Sequence, residues 1–161
     1  MTVSPSAPHK AAAPRRVLAI ASSGGHWQQL MLMRPGFTHH DVTYATTLPG
    51  LAQQFDAAPA HLVPDCNRNE PLQALRCLIW LVVRFVRLRP HVVITTAALP
   101  GLLAMKLGKV TGARTIWVDS VANAETLSAS GQTARRFADL WLSQWPDVAR
   151  DSGADYAGSV L

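Results

Sequence analysis

Four short runs of aliphatic, aromatic and β-branched residues punctuate this chain: Val17-Leu18-Ala19-Ile20-Ala21, Val42-Thr43-Tyr44-Ala45, Val92-Val93-Ile94 and Thr115-Ile116-Trp117-Val118. Val17 to Ala21 and Val92 to Ile94 are apolar at successive positions rather than at every second one, the pattern of a strand buried on both faces, and the other two read as further strands. A strand of that kind needs helices above and below its sheet, and the intervening sequence supplies them. A helix is expected from His26 to about Arg34, stopped by Pro35-Gly36, and another from Leu72 to Leu88, stopped by Pro90. A third runs from Leu102 to Val110 and closes at Gly112. A short helix over 51–55, a strand at His61-Leu62-Val63 and a last strand at Leu140-Trp141-Leu142 complete the reading. Strands alternating with helices define an α/β fold, a Rossmann-like doubly wound parallel sheet with functional loops at the carboxyl ends of its strands. The first fourteen residues, rich in Ser, Pro and Ala, read as a disordered leader, and 15–161 as a single domain.

The loops at those carboxyl ends carry the chemistry. Ser22-Ser23-Gly24-Gly25-His26 lies where the first strand turns into the first helix. The glycines let a ligand approach the backbone, and the helix N-terminus offers unpaired N–H groups to an anion, with pyrophosphate the natural guest. The loop has neither the GxGxxG spacing of dinucleotide folds nor the Lys-Ser/Thr ending of a P-loop, so no NAD or ATP cofactor is expected. A simple tight turn is the alternative. His26 has two open roles, general base towards a sugar hydroxyl or donor to phosphate. Thr95-Thr96-Ala97-Ala98-Leu99-Pro100-Gly101 forms a second strand-to-helix turn and places Thr96 on the same crevice. Asp119-Ser120 ends the Thr115 strand, with Glu125 following; either carboxylate could act as base or cap the next segment.

Charge and hydropathy narrow the partners. The formal net charge is +5, and only 16% of residues are charged against 48% hydrophobic. An anionic partner is implied. Arginine recurs beside aliphatic residues in Arg76-Cys77-Leu78 and Val83-Arg84-Phe85-Val86-Arg87, which suits a lipid interface and argues against nucleic acid. In the 72–88 helix, Leu75, Ile79, Val82 and Val86 share one face, while Arg76, Trp80, Arg84 and Arg87 form a second stripe suited to a membrane interface. An ordinary crossover helix with a solvated arginine face is the alternative. No apolar run reaches the roughly 18 to 20 residues that span a bilayer, so membrane contact is expected to be peripheral. Cys66 and Cys77 form no CxxC pair, and His39-His40-Asp41 reads as a surface loop; no metal is expected.

The order of these pieces resembles a known family, the acceptor-side subunit of the two-component UDP-GlcNAc transferase of N-glycan assembly and its bacterial PssD/CpsF-type exopolysaccharide counterparts. The resemblance is carried by Ser22 to His26, Arg89 to Thr96, Gly112 to Ser120, Gln144-Trp145-Pro146 and Tyr156 to Leu161. It implies the N-terminal half of a GT-B glycosyltransferase. That half would hold a polyprenyl-diphosphate-linked sugar, the diphosphate near Ser22, Ser23, Gly24 and Gly25 with Thr96, Ser120 and Glu125 close by. A small donor-binding partner would bring a UDP-sugar, the chain being inactive alone, and His26 or Asp119 would take the proton. The family also implies docking on the cytoplasmic face of the plasma membrane. Ala98 stands where relatives often carry glycine, Asp119 where glutamate is frequent and Asn123 where arginine is expected.

Overall fold

The computed structural model describes residues 13–96 and 98–160. The expected leader therefore lies almost wholly outside the described residues, as do Ala97 and Leu161. Seven parallel strands, β1 (Arg16–Ile20), β2 (Asp41–Thr46), β3 (Ala60–Leu62), β4 (Val92–Thr95), β5 (Arg114–Val118), β6 (Leu140–Ser143) and β7 (Asp155–Tyr156), form one sheet in the order β3-β2-β1-β4-β5-β6-β7. The helices are α1 (Gly25–Met33), α2 (Leu51–Gln54), α3 (Pro71–Leu88), α4 (Ala98–Thr111), α5 (Ala129–Ala134) and α6 (Pro146–Ser152), with a 3-10 turn at Arg34–Gly36.

The aliphatic runs are buried on both faces, as their composition demands. Leu18 and Ile20 of β1 join Cys77, Leu81, Phe85, Leu102 and Met105 on one side of the sheet. Val17 and Ala19 join Trp27, Leu30 and Tyr44 on the other. The alternation of side chains along a strand thus splits one run between two cores. Strand order reverses at β1, whose neighbours are β2 and β4, so the crevice of a doubly wound sheet opens beside the loop that follows β1.

Helix α4 comes close to the sheet because two of its residues lack side chains. A methyl group on Gly101 would overlap the Thr95 hydroxyl, and one on Gly108 would sit 3.0 Å from methyl carbons of both Val93 and Thr115. This approach carries α4 over β4 and β5 and fixes where the β4 loop emerges.

Helix α3 packs on a third stripe, between the two read from spacing. Cys77, Leu81 and Phe85 are the buried residues. The Leu75-Ile79-Val82-Val86 face is turned to solvent, with Ile79 58% and Val86 68% exposed, and Leu72 and Val83 extend it. All three stripes obey helical spacing, and the one that packs is the one that meets Val93 and Met105 of the core. Among the described residues no helix is long and apolar enough to cross a membrane.

Three elements escaped the sequence reading: α5, α6 and the two-residue β7. Helix α5 has the sequence ASGQTA, with no apolar periodicity to announce it. It is set by Ser128, whose hydroxyl accepts from the Gly131 amide as an N-cap.

Candidate functional site

The loops after β1, β4, β5 and β6 all emerge at the carboxyl edge of the sheet. Gly24, at φ 63°, lies in the left-handed region that glycine enters without cost, and a side chain would strain this turn. The first hydrogen bond of α1 runs from the Gln28 amide to the Gly24 carbonyl at 3.1 Å. The amides of Gly25, His26 and Trp27 are therefore left without intrahelical acceptors. No acidic residue occupies the first turn of α1, so nothing there offsets its positive end. Ser23, Gly24 and Gly25 are exposed and Ser22 is half-buried.

Two hydroxyls brace this loop from below. Thr96 Oγ1 donates to the His26 carbonyl at 2.6 Å, and Thr46 Oγ1 to the Ser22 carbonyl at 3.3 Å. Thr96 is fully buried, which makes it a positioning residue for the loop rather than a ligand group. His26 itself is half-buried, and its Nδ1 is shielded from solvent with no hydrogen-bond partner among the described residues. A buried polar atom without a partner is rare, and this one sits on the second residue of the anion-ready helix.

Asp119 does not fit the role of a base. It is 1% exposed. Its Oδ1 accepts from Trp117 Nε1 at 3.2 Å and Ser128 Oγ at 2.7 Å, and its Oδ2 from the Ser128 amide at 2.8 Å and Asn123 Nδ2 at 3.2 Å. With four donors already on its oxygens, the carboxylate holds the 120–128 loop closed and has no open direction for a substrate hydroxyl. Its second expected role, capping the following segment, is the one the geometry realises. Gly131 passes so close that a methyl there would lie 2.7 Å from Asp119 Oδ1. Glu125, in the same loop, is exposed.

Ser120 is likewise committed, its hydroxyl accepting from Gln29 Nε2 at 3.2 Å and the Ala122 amide at 3.3 Å. This leads to a buried amide network absent from the sequence reading. Gln29 of α1 accepts at Oε1 from Gln144 Nε2 at 2.7 Å and from the Val121 amide at 3.2 Å. Gln144 also donates to the Asp119 carbonyl at 2.8 Å and accepts from the Val160 amide at 2.9 Å. The network clamps α1, the β5 loop, the β6 loop and the end of the described chain into one unit behind the glycine loop. Gln29 is 5% and Gln144 3% exposed, so each amide left unpaired would cost about 1–3 kcal/mol.

The expected interface residues divide. Arg76 and Arg87 flank the solvent-facing aliphatic stripe of α3 and are themselves exposed. Trp80 instead packs edge-on against His61, ring centroids 6.2 Å apart, with the Arg84 guanidinium 4.9 Å from its ring. These two belong to the flank where α3 meets β3, and burial together with the nearby Arg84 charge pushes the His61 pKa down. Cys66 and Cys77 are free and buried, and burial raises both thiols. Among the described residues no group of three or more His, Cys, Asp or Glu is arranged to hold a metal.

No protein-family model matches the chain. Over 67 residues, 38% of this chain, it is 37% identical to the UDP-N-acetylglucosamine transferase subunit ALG14 of Eremothecium gossypii. Over 61 residues it is 41% identical to the subunit of the same name from Schizosaccharomyces pombe. The matched segments span only 30% and 28% of those relatives. Over those stretches the chain is similar to a glycosyltransferase subunit. In fold it is similar to Acinetobacter baumannii MurG, with a TM-score of 0.70 at 13% identity over 84% of this chain and 43% of that one. It is similar also to UDP-N-acetylglucosamine 2-epimerase from Rickettsia bellii, with a TM-score of 0.69 at 11% identity over 91% of this chain and 45% of that one. The fold is thus the Rossmann-like α/β unit that makes up somewhat under half of these GT-B-type proteins.

Proposed function

We propose that this chain is the acceptor-binding, membrane-associated subunit of a split UDP-sugar-dependent glycosyltransferase that builds a lipid-linked polysaccharide, the exopolysaccharide type included. The observation that carries the reading is the loop after β1. Gly24 at positive φ opens the α1 N-terminus at the carboxyl edge, where the first three amides have no intrahelical acceptor and no carboxylate sits in the first turn to compete. A polyprenyl diphosphate fits this site as a divalent anion whose remaining bulk stays outside the sheet. The similarity to ALG14 subunits and the correspondence to one half of two-unit folds support the division of labour. A separate small subunit then supplies the UDP-sugar.

In the assembled pair the acceptor sugar hydroxyl attacks the anomeric carbon of the donor. The bond to the UDP oxygen breaks with inversion, UDP leaves with the electron pair, and the hydroxyl proton passes to a base. His26 is the candidate, since its ring is half-buried on the glycine loop while Asp119 is saturated. The α3 stripe with Arg76 and Arg87 would hold the subunit against the cytoplasmic face of the plasma membrane.

The test is sugar transfer from UDP-GlcNAc in membranes co-expressing this chain and its donor-binding partner. Gly24→Val should lower transfer at least about tenfold by blocking backbone approach, and His26→Ala by roughly a hundredfold or more if it is the base. Full activity in both variants would refute the reading. The saturation of Asp119 favours a second reading, a non-catalytic scaffold recruiting the donor subunit. On that reading Gly24→Val and His26→Ala leave transfer intact, while polar substitutions on the α3 stripe abolish it.

A further inference from the structure

The end of the sheet opposite the glycine loop carries an open cavity of about 740 Å³. Arg15 and Arg16 at the start of β1, Arg89 after α3, and Arg114 at the start of β5 line it, together with His91. No carboxylate lies on its wall. Among the described residues the ion pairs involve only Lys109 and Arg150 as cations; none of these four arginines is in one, with Asp41 beside Arg16 and Asp139 beside Arg15 and Arg114 in the adjoining cavities.

Part of this charge answers the C-terminus of α3. Arg16 Nε donates to the carbonyls of Leu88 at 3.0 Å and Arg89 at 2.9 Å, and the Arg16 amide donates to His91 Nδ1 at 3.1 Å. One helix end carries about half a negative charge. The four arginines together exceed the demand of the α3 and α4 ends. Arg89 adds a conformational cost. It sits at φ 44° in the left-handed C-cap position that glycine fills more cheaply, yet an arginine is present. The other wall is apolar, built by Val82, Phe85 and Val86 of α3 with Leu107 of α4. Val82 and Val86 also belong to the exposed stripe, so the cavity opens onto the aliphatic surface of α3.

We infer that this amino-edge cavity binds the phosphate headgroup of an anionic phospholipid, separately from the acceptor diphosphate at the carboxyl edge. The arginines supply charge-assisted hydrogen bonds to the phosphate, and the aliphatic wall accepts the first carbons of the glycerol and acyl chains. A polar anion would leave that wall without use, and a nucleic acid would leave the whole α3 stripe exposed. The inference rests on the membrane reading of α3 only for the source of the headgroup.

Calorimetry with dihexanoylphosphatidylglycerol below its micelle concentration reads the cavity without a bilayer. The expected result is saturable binding to the full chain, at least tenfold tighter than to dihexanoylphosphatidylcholine or inorganic phosphate. Arg89→Gly combined with Arg114→Gln should weaken it roughly thirtyfold, taking each charge as worth about 1 kcal/mol at a lipid headgroup. The glycine removes backbone strain, so the melting temperature of this variant tests folding directly. Arg76→Gln with Arg87→Gln removes equal charge outside the cavity and should change binding by less than about threefold. Equal losses in the two pairs would mean diffuse attraction and overturn the proposal. So would equal affinity for the phosphatidylcholine or for inorganic phosphate, tighter binding of a single-stranded RNA oligomer, or no saturable binding at all. An Ile79→Ser, Val83→Ser variant separates the two readings: it should lose vesicle binding and keep soluble headgroup binding.

Discussion

Asp119 shows how residue chemistry decides between two roles that a sequence leaves open. An aspartate at the end of a parallel strand is well placed to meet a substrate. Here its four donors come from the strand itself and from the loop it closes, and Gly131 is kept bare to admit it. Gly131→Ala should destabilise the fold by about 1–3 kcal/mol, because the methyl must displace a buried carboxylate that has nowhere to relax. Asp119→Asn should cost a similar amount, since the amide nitrogen presents hydrogens where the site already presents donors. Urea unfolding of both variants measures this; a fully stable Asp119→Asn would show that the loop does not depend on the charge. His26 differs in kind: its Nδ1 has no partner among the described residues, so His26→Ala should leave stability within about 1 kcal/mol while transfer falls. The glycine loop could be recognised from the residues alone because a turn needing left-handed backbone leaves glycine in the sequence. The Gln29–Gln144 clamp could not, because its partners are 115 positions apart and glutamine carries no periodic signature.

Among the elements, α3 is the instructive failure of pattern reading. It is apolar around much of its circumference, so spacing identified a helix without saying which stripe meets the sheet. Strands β1, β2, β4 and β5 were legible since burial on both faces leaves a run of aliphatic, aromatic and β-branched residues, whereas α5, α6 and β7 are short and held by caps and hydrogen bonds rather than by an apolar face. Paired substitutions measure the assignment on α3. Leu81→Ala should cost about 2–5 kcal/mol, as a fully buried leucine does, while Ile79→Ser should be nearly neutral in solution. The reverse order would put the Leu75-Ile79-Val82-Val86 face against the sheet. A second element-scale prediction concerns Asp139, which joins α4 to the start of β6. It pairs with Lys109 and accepts from the amide of Thr115 at 2.9 Å and its hydroxyl at 3.0 Å. The Lys109 hydrogen bond, followed by those from Thr115, holds its carboxyl below the ordinary carboxylate range against the opposing effect of burial. A lowered folded-state pKa means stability that is present above about pH 4 and lost as pH falls through the folded value. Asp139→Asn should therefore cost about 0.5–1 kcal/mol at pH 7, discounted for partial exposure, and progressively less as pH falls through the folded value. Thermal melts across that interval check the sign.

For the whole molecule, parallel strands give two chemically different ends. The carboxyl end gathers the glycine loop, Thr96, the Asp119 loop and the glutamine clamp; the amino end gathers arginine. On the proposed function the isolated chain should bind a lipid diphosphate and show no transfer from UDP-GlcNAc, while the reconstituted pair does both. Turnover by the isolated chain would refute the split.

The central seam of the sheet has a kinetic consequence. Strands β1 and β4 are adjacent, and the Arg16–His91 hydrogen bond that seals their amino ends joins residues 75 apart. Closing a loop of that length costs about 4 kcal/mol of chain entropy, to be recovered only after the strands zip. The arginine cavity is assembled from residues on both sides of this seam and from the end of α4, so it exists only in chains that have already passed the closure step. An anion held there stabilises contacts formed late in folding. Its effect should appear as slower unfolding with an unchanged refolding rate, so that occupancy lengthens the lifetime of the native state without hastening its formation.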